Sequence, residues 1–159
     1  MSDILYEEIP SVDLNDFISD DPARKQNFVQ TLGDAYENIG FVAVKNHGLS
    51  DELSARLYYS VKQFFALPET TKLAYELEDL GGQRGYTAKE KEHAKGRDIA
   101  DLKEFYHVGQ DMSAADLDRL GYPRNIFPLE LPEFKAATIE AFHTLEATGL
   151  QILRAIAIY

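Results

Sequence analysis

Cysteine and tryptophan are both absent from the 159 residues. Without cysteine the chain holds neither a disulfide nor a thiolate-bound metal, and its redox compartment cannot be read directly. No run of about 18 apolar residues occurs. The opening Met1-Ser2-Asp3-Ile4-Leu5-Tyr6-Glu7-Glu8 also lacks the basic stretch and apolar core of a secretory leader. No membrane partner is therefore expected, and the cytoplasm is the expected location. Positive charge is scarce: 16 Lys and Arg against 27 Asp and Glu give a net charge of -11. Phosphate backbones are bound by basic faces, so no nucleic-acid partner is expected. The zinc-protease HExxH, the P-loop, the GxSxG elbow and the dinucleotide fingerprint are missing too.

What is present is an ordinary globular composition, 45% hydrophobic and 27% charged, without a low-complexity tract. A chain of this length buries roughly two-thirds of its unfolded surface, so residues 1–159 are expected to form one region with a sizeable core. Its organising stretch is Gly40-Phe41-Val42-Ala43-Val44-Lys45-Asn46-His47-Gly48. The β-formers Phe41, Val42 and Val44 predict a short buried strand, and Asn46 to Gly48 predict a tight turn. Ser50 then offers a cap to a helix whose first turn carries Asp51 and Glu52, where the helix dipole favours negative charge.

Before this stretch, Ile9 to Leu14 predicts an edge strand. Asp21 and Pro22 start a helix with Phe28, Leu32, Ala35, Tyr36 and Ile39 as its core stripe, closed by Gly40. After it, Leu53, Leu57, Val61, Phe64 and Phe65 share one helical face, and Pro68 and Glu69 open a short helix to about Glu76. Tyr58, Tyr59 and Tyr75 are expected to pack with their hydroxyls in water. Leu80 to Thr87 carries three glycines and reads as a loop fitted closely to something. Ala88 to Asp101 reads as a solvated, charged loop, and Leu102 to Val108 as a strand with two chemically different faces. Ser113 caps a helix over Ala114 to Leu120, ended by Gly121, and an extended connection leads to Pro128. Pro132 and Glu133 open the last helix, with Phe134, Thr138, Phe142, Leu145, Gly149, Ile152, Ile156 and Tyr159 on one face. Its apolar pattern reaches Tyr159 without a stop signal, so more protein is expected beyond.

Gly-Phe-x-x-Val-x-Asn-His-Gly at 40–48 resembles the signature of the 2-oxoglutarate/Fe(II)-dependent dioxygenases of the isopenicillin N synthase-like family. Ile9-Pro10-Ser11-Val12-Asp13-Leu14, Phe64-Phe65-Ala66-Leu67-Pro68, Gly85-Tyr86 and Lys103-Glu104-Phe105 follow that family's order. Phe127 stands where the family often has tryptophan. The resemblance implies an α+β region whose helices pack on strands extending a double-stranded β-helix, or jelly roll, with the core of that jelly roll beyond Tyr159. It implies Arg84, Tyr86, Phe105 and His107 as substrate-binding residues, and a C-terminal catalytic half packed on the last helix. The implied activity of the full-length protein is oxidation of a small organic substrate, with Fe(II) and 2-oxoglutarate as cofactors.

The family's ligand motifs are not written in these residues. His47, His93, His107 and His143 are followed by no Asp or Glu two positions on, and no Arg is followed two positions on by Ser. A facial triad needs two His and a carboxylate, so this chain alone is expected to bind neither iron nor 2-oxoglutarate and to be inactive. His47 reads as a turn histidine bonded to nearby backbone, and His143 as a surface or packing residue in mid-helix. Two other classes stay open: a naturally short binding or interaction module derived from the family, and a purely structural domain without a ligand.

Overall fold

The computed structural model describes residues 9–91 and 102–159, so most of the expected charged loop, His93 included, lies outside the described residues. Two compact units divide the chain, Met1–Ser50 with His143–Tyr159 and Asp51–Phe142.

In the first unit, strand β1 (Ser11–Asp13) pairs in parallel with β2 (Ala43–Lys45), Val12 opposite Val44. The strand expected over 9–14 is cut short because the Asp13 carboxylate accepts the Asn15 N–H and caps a helix, α1 (Leu14–Ile18). The capped turn outcompetes a further ladder residue. Helix α2 (Pro22–Asn38) starts as expected, with the Asp21 carboxylate taking the Ala23 and Arg24 N–H groups and Pro22 in the first turn. Gly40 leaves it at φ +95°, in the left-handed region that a Cβ disfavours. Val12, Leu14, Phe17, Phe28, Val29, Leu32 and Ala155 form the core, with Val42, Val44 and Ile152 against it. The organising strand is half exposed rather than buried. Only Val42 and Val44 turn to the core, while Phe41 stays 53% exposed, as alternation in a two-stranded sheet requires. Tyr36 leaves the expected stripe in the same way and is exposed.

The second unit begins with α3 (Asp51–Phe65), which buries Leu53, Ser60 and Phe64. Helix α4 is shorter than expected, Glu69–Leu73, and Pro68 is its N-cap rather than its first helical residue. A 3₁₀ turn (Glu78–Leu80) leads into strand β3 (Gly85–Thr87), where a loop was expected. Strand β3 pairs antiparallel with β4 (Phe105–His107), Tyr86 opposite Tyr106. Helix α5 (Ala114–Leu120) has the predicted Ser113 cap and Gly121 end. The long α6 (Pro132–Ile158) contributes its first turns here and its last turns to the first unit. The core gathers on Phe64, whose ring lies 4.8 Å from Tyr106, 5.4 Å from Phe134 and 5.8 Å from Tyr86.

Three expectations about packing fail here, the first because Tyr58 and Tyr59 do not pack but stand 69% and 65% exposed. The Tyr75 hydroxyl is not in water: it donates to the Glu130 carboxylate and accepts the Leu129 N–H, and Tyr75 is buried. On α6 the buried residues are Phe134, Ala137, Ala141, Thr148 and Ala155, mostly small, while Leu145, Ile156 and Tyr159 remain exposed. Small residues let backbones approach closely, which a reading by hydrophobic size misses. Among the described residues no helix is long and apolar enough to cross a membrane.

Candidate functional site

The two parts of the organising motif do different work. Asn46, at φ +53°, donates through Nδ2 to both oxygens of Asp13 at 2.8 Å, tying the turn to the start of α1. This bond, followed by the one from the Asn15 N–H, holds the Asp13 carboxyl below its ordinary range. His47 accepts the Leu49 N–H at Nδ1, and its carbonyl accepts the Thr148 hydroxyl at 2.6 Å. It is a turn histidine, as expected. His143 is exposed on α6, 3.7 Å from Glu146.

The four predicted substrate contacts all fall on or beside the β3–β4 ribbon, which sorts them by face. Cross-strand partners share a face, so Tyr86 and Tyr106 point together into the aromatic core. Phe105 and His107 turn the other way, as their alternation predicts, with ring centroids 4.7 Å apart. Thr87 lies opposite Phe105 on that outer face. The Gly81-Gly82 turn closes over it: the Gly82 carbonyl bonds His107 Nδ1, and a Cβ at Gly82 would stand 3.0 Å from Thr87 Oγ1.

On the inner side a polar network fixes the ribbon. Glu104 accepts from Lys72 Nζ and from the Tyr86 hydroxyl, both at 2.6 Å. The Lys72 ammonium, and after it the Tyr86 hydroxyl, hold the Glu104 carboxyl below its ordinary range. Burial, reinforced by the Glu104 charge, pushes the Tyr86 hydroxyl well above its own. Strand alternation in the sequence aligns Glu104 with Tyr106, but nothing in the sequence brings Lys72 to either.

Arg84 is 9% exposed and donates only to the neighbouring Gln83 carbonyl, at 2.7 Å. Its Nε is buried without a partner, and no carboxylate among the described residues pairs with it. Its guanidinium occupies the place that a Cβ on Gly109 would take. Asn125 holds Gly109 there, accepting its N–H at 2.9 Å and donating to its carbonyl at 3.0 Å. Neither Gly109 nor Asn125 announces this role in the sequence.

Among the described residues no three His, Asp or Glu side chains converge as metal ligands. The donor set among the described residues does not fit an iron ion.

Comparison with known proteins follows the same lines. The family model described as "non-haem dioxygenase in morphine synthesis N-terminal" matches residues 9–130. The chain is 33% identical over 157 residues to the proline hydroxylase buaE of Petromyces alliaceus, covering 94% of this chain and 47% of that protein. A structure named as a 2OG-Fe(II) oxygenase family protein of Caulobacter crescentus superposes with a TM-score of 0.80 at 35% identity, covering 95% of this chain and 48% of that one. A full-length Neurospora crassa protein in complex with alpha-KG superposes with a TM-score of 0.78 at 24% identity, covering 97% of this chain and 48% of that one, a likeness of fold. The chain spans about half the length of the relatives it matches.

Proposed function

The chain belongs to the family of non-haem dioxygenase N-terminal regions, and from that premise we propose that it is the N-terminal half of a 2-oxoglutarate/Fe(II)-dependent oxygenase acting on a small organic substrate. The match over residues 9–130, to proteins about twice as long, is the observation that carries this reading. In the longer protein, iron and 2-oxoglutarate supply the oxidising chemistry. Residues 1–159 act as scaffold and as part of the substrate wall, and the missing half brings a jelly-roll core of the isopenicillin N synthase-like kind. That half packs on the last helix, whose Leu150, Leu153, Ile156 and Ile158 are each about half exposed. The working location is the cytoplasm.

In this reading Arg84 holds an anionic group of the substrate. A buried cation without a countercharge is costly, and its orphaned Nε keeps one donor free for an incoming oxygen. Phe105 and His107 offer an aromatic and a polar contact on the outer face, and Tyr86 supports them from beneath. Intact mass and 2-oxoglutarate consumption of the natural gene product test the proposal. A product near the 18.0 kDa of this chain that consumes no 2-oxoglutarate overturns it in favour of a short interaction module. In an active longer enzyme, Arg84→Ala should raise the KM for substrate about tenfold or more, the loss of a charge-assisted contact, with iron content unchanged. Unchanged kinetics would remove Arg84 from the site.

A further inference from the structure

A cleft of about 320 Å³ opens beside the ribbon, lined by Glu76, Glu78, Gly82, Tyr86, Thr87 and Lys91 among others. Two of these carry acceptors that can take a further donor. Thr87 is 6% exposed, and its Oγ1 has no hydrogen-bond partner at all. The Glu76 side chain is 14% exposed, and its carboxylate meets one partner, the half-exposed Lys91, with Nζ 3.4 Å from Oε2. Buried polar groups are normally satisfied, so the unpartnered Thr87 oxygen beside the Glu76 carboxylate marks a place where a donor is expected.

We propose that this cleft binds the cationic amine of a small molecule, a primary or secondary ammonium that donates one N–H to the Glu76 carboxylate and another to the Thr87 hydroxyl oxygen. Charge selects a cation: Glu76 and Glu78 outweigh the single Lys91 in the lining. Coordination argues against a metal ion instead, because no three ligating side chains converge among the described residues. Lys91 already presents an ammonium to Glu76 on a flexible stem, and a ligand amine takes its place. Gly82, at φ +77°, lies against the Thr87 hydroxyl, where a Cβ would press on Oγ1. Calling the amine part of the substrate rests on the oxygenase reading above, whereas its binding is a property of this chain alone.

The test is a titration of the 159-residue chain with propylammonium chloride, followed by amide chemical shifts in ¹⁵N-labelled protein, beside 1-butanol as the neutral counterpart of similar size. Saturable shifts at Gly81, Gly82 and Thr87 with the ammonium and none with the alcohol are expected. Glu76→Gln should weaken binding about tenfold, and Thr87→Val several-fold. Lys91→Met should tighten it by freeing Glu76, and a gain of affinity cannot come from misfolding. Equal binding of the alcohol, no saturable shift, or affinities indifferent to Glu76→Gln and Lys91→Met would overturn the proposal. A longer gene product that consumes 2-oxoglutarate while this titration fails refutes the amine and leaves the oxygenase. A positive titration without 2-oxoglutarate consumption refutes the oxygenase and leaves the cleft.

Discussion

Replacing Lys72 by methionine keeps an unbranched apolar stem of similar length and removes only the ammonium that neutralises Glu104. The pair is largely buried, with side chains 10% and 19% exposed and Nζ 2.6 Å from Oε2. Removing one partner of such a pair leaves a buried charge uncompensated and costs about 3–5 kcal/mol. The Tyr86 hydroxyl still donates to Glu104 in the variant, which puts the expected loss near the lower end, about 3 kcal/mol. Urea unfolding followed by circular dichroism reads this directly. The pH dependence has a definite sign. In the native chain the Glu104 carboxyl is held below its ordinary value of 4.5, so its contribution is complete above that value and fades as pH falls through the folded one. Without Lys72 that advantage disappears, and the gap between native and variant should narrow in acid. Glu104→Gln in the Lys72→Met background should restore part of the loss, because glutamine still accepts from Tyr86 and carries no charge. A loss at pH 7 under about 1 kcal/mol, or one that does not change with pH, would mean the pair behaves as a surface bridge and would refute the reasoning.

Phe64→Ala should cost about 3–5 kcal/mol in the same assay, since the buried ring is the hub of the aromatic core; a loss under about 1 kcal/mol would show that the cluster rearranges around its absence. Gly85→Ala should cost about 2 kcal/mol or more, because Gly85 sits at φ +74° and a Cβ would collide with the Tyr75 carbonyl oxygen, the acceptor of the Tyr86 N–H. Retained stability there would dissolve the argument for a fixed ribbon entry. Gly48→Val, at φ +83° and facing the Thr144 methyl group, should lower stability by about 1–2 kcal/mol, and wild-type stability would mean the Asn-His-Gly turn tolerates side chains.

The sequence marks what local chemistry decides. Asp21-Pro22, Ser113 and Gly121 name helix ends correctly because a cap is a contact within a few residues. The two faces of the strand around Phe105 are legible for the same reason, since alternation is a property of the backbone. What fails is whatever depends on distant partners. Leu80 to Thr87 reads as a loop because three glycines dominate it, yet Gly85 is the first residue of a strand paired with one about twenty residues away. The face of α6 is read only in part: Phe134 and Ile152 pack as expected, but alanines at 137, 141 and 155 carry burial that a ranking by hydropathy passes over. Of the four named residues, Tyr86 and Phe105 lie in the motifs and Arg84 and His107 beside them, while Lys72, Gly109 and Asn125 matter only through contacts no spacing encodes.

The ribbon also shows how three-residue strands can be held firmly while presenting a second face outward. Inner and outer residues alternate, so every residue on the outer face has an inner residue as its chain neighbour: Thr87 beside Tyr86, Phe105 between Glu104 and Tyr106, His107 beside Tyr106. The inner residues are held by two bonds to one carboxylate and by rings packed on Phe64. Fixing their backbone fixes the direction in which the outer side chains leave the ribbon. An outer group such as Thr87 Oγ1 can therefore remain unsatisfied in the folded chain, because the cost is met by a network one residue away. Loosening that network should release the outer face along with the core, so if the proposed contacts hold, substitutions at Lys72 or Glu104 should weaken binding through Phe105 and Thr87 without touching a ligand.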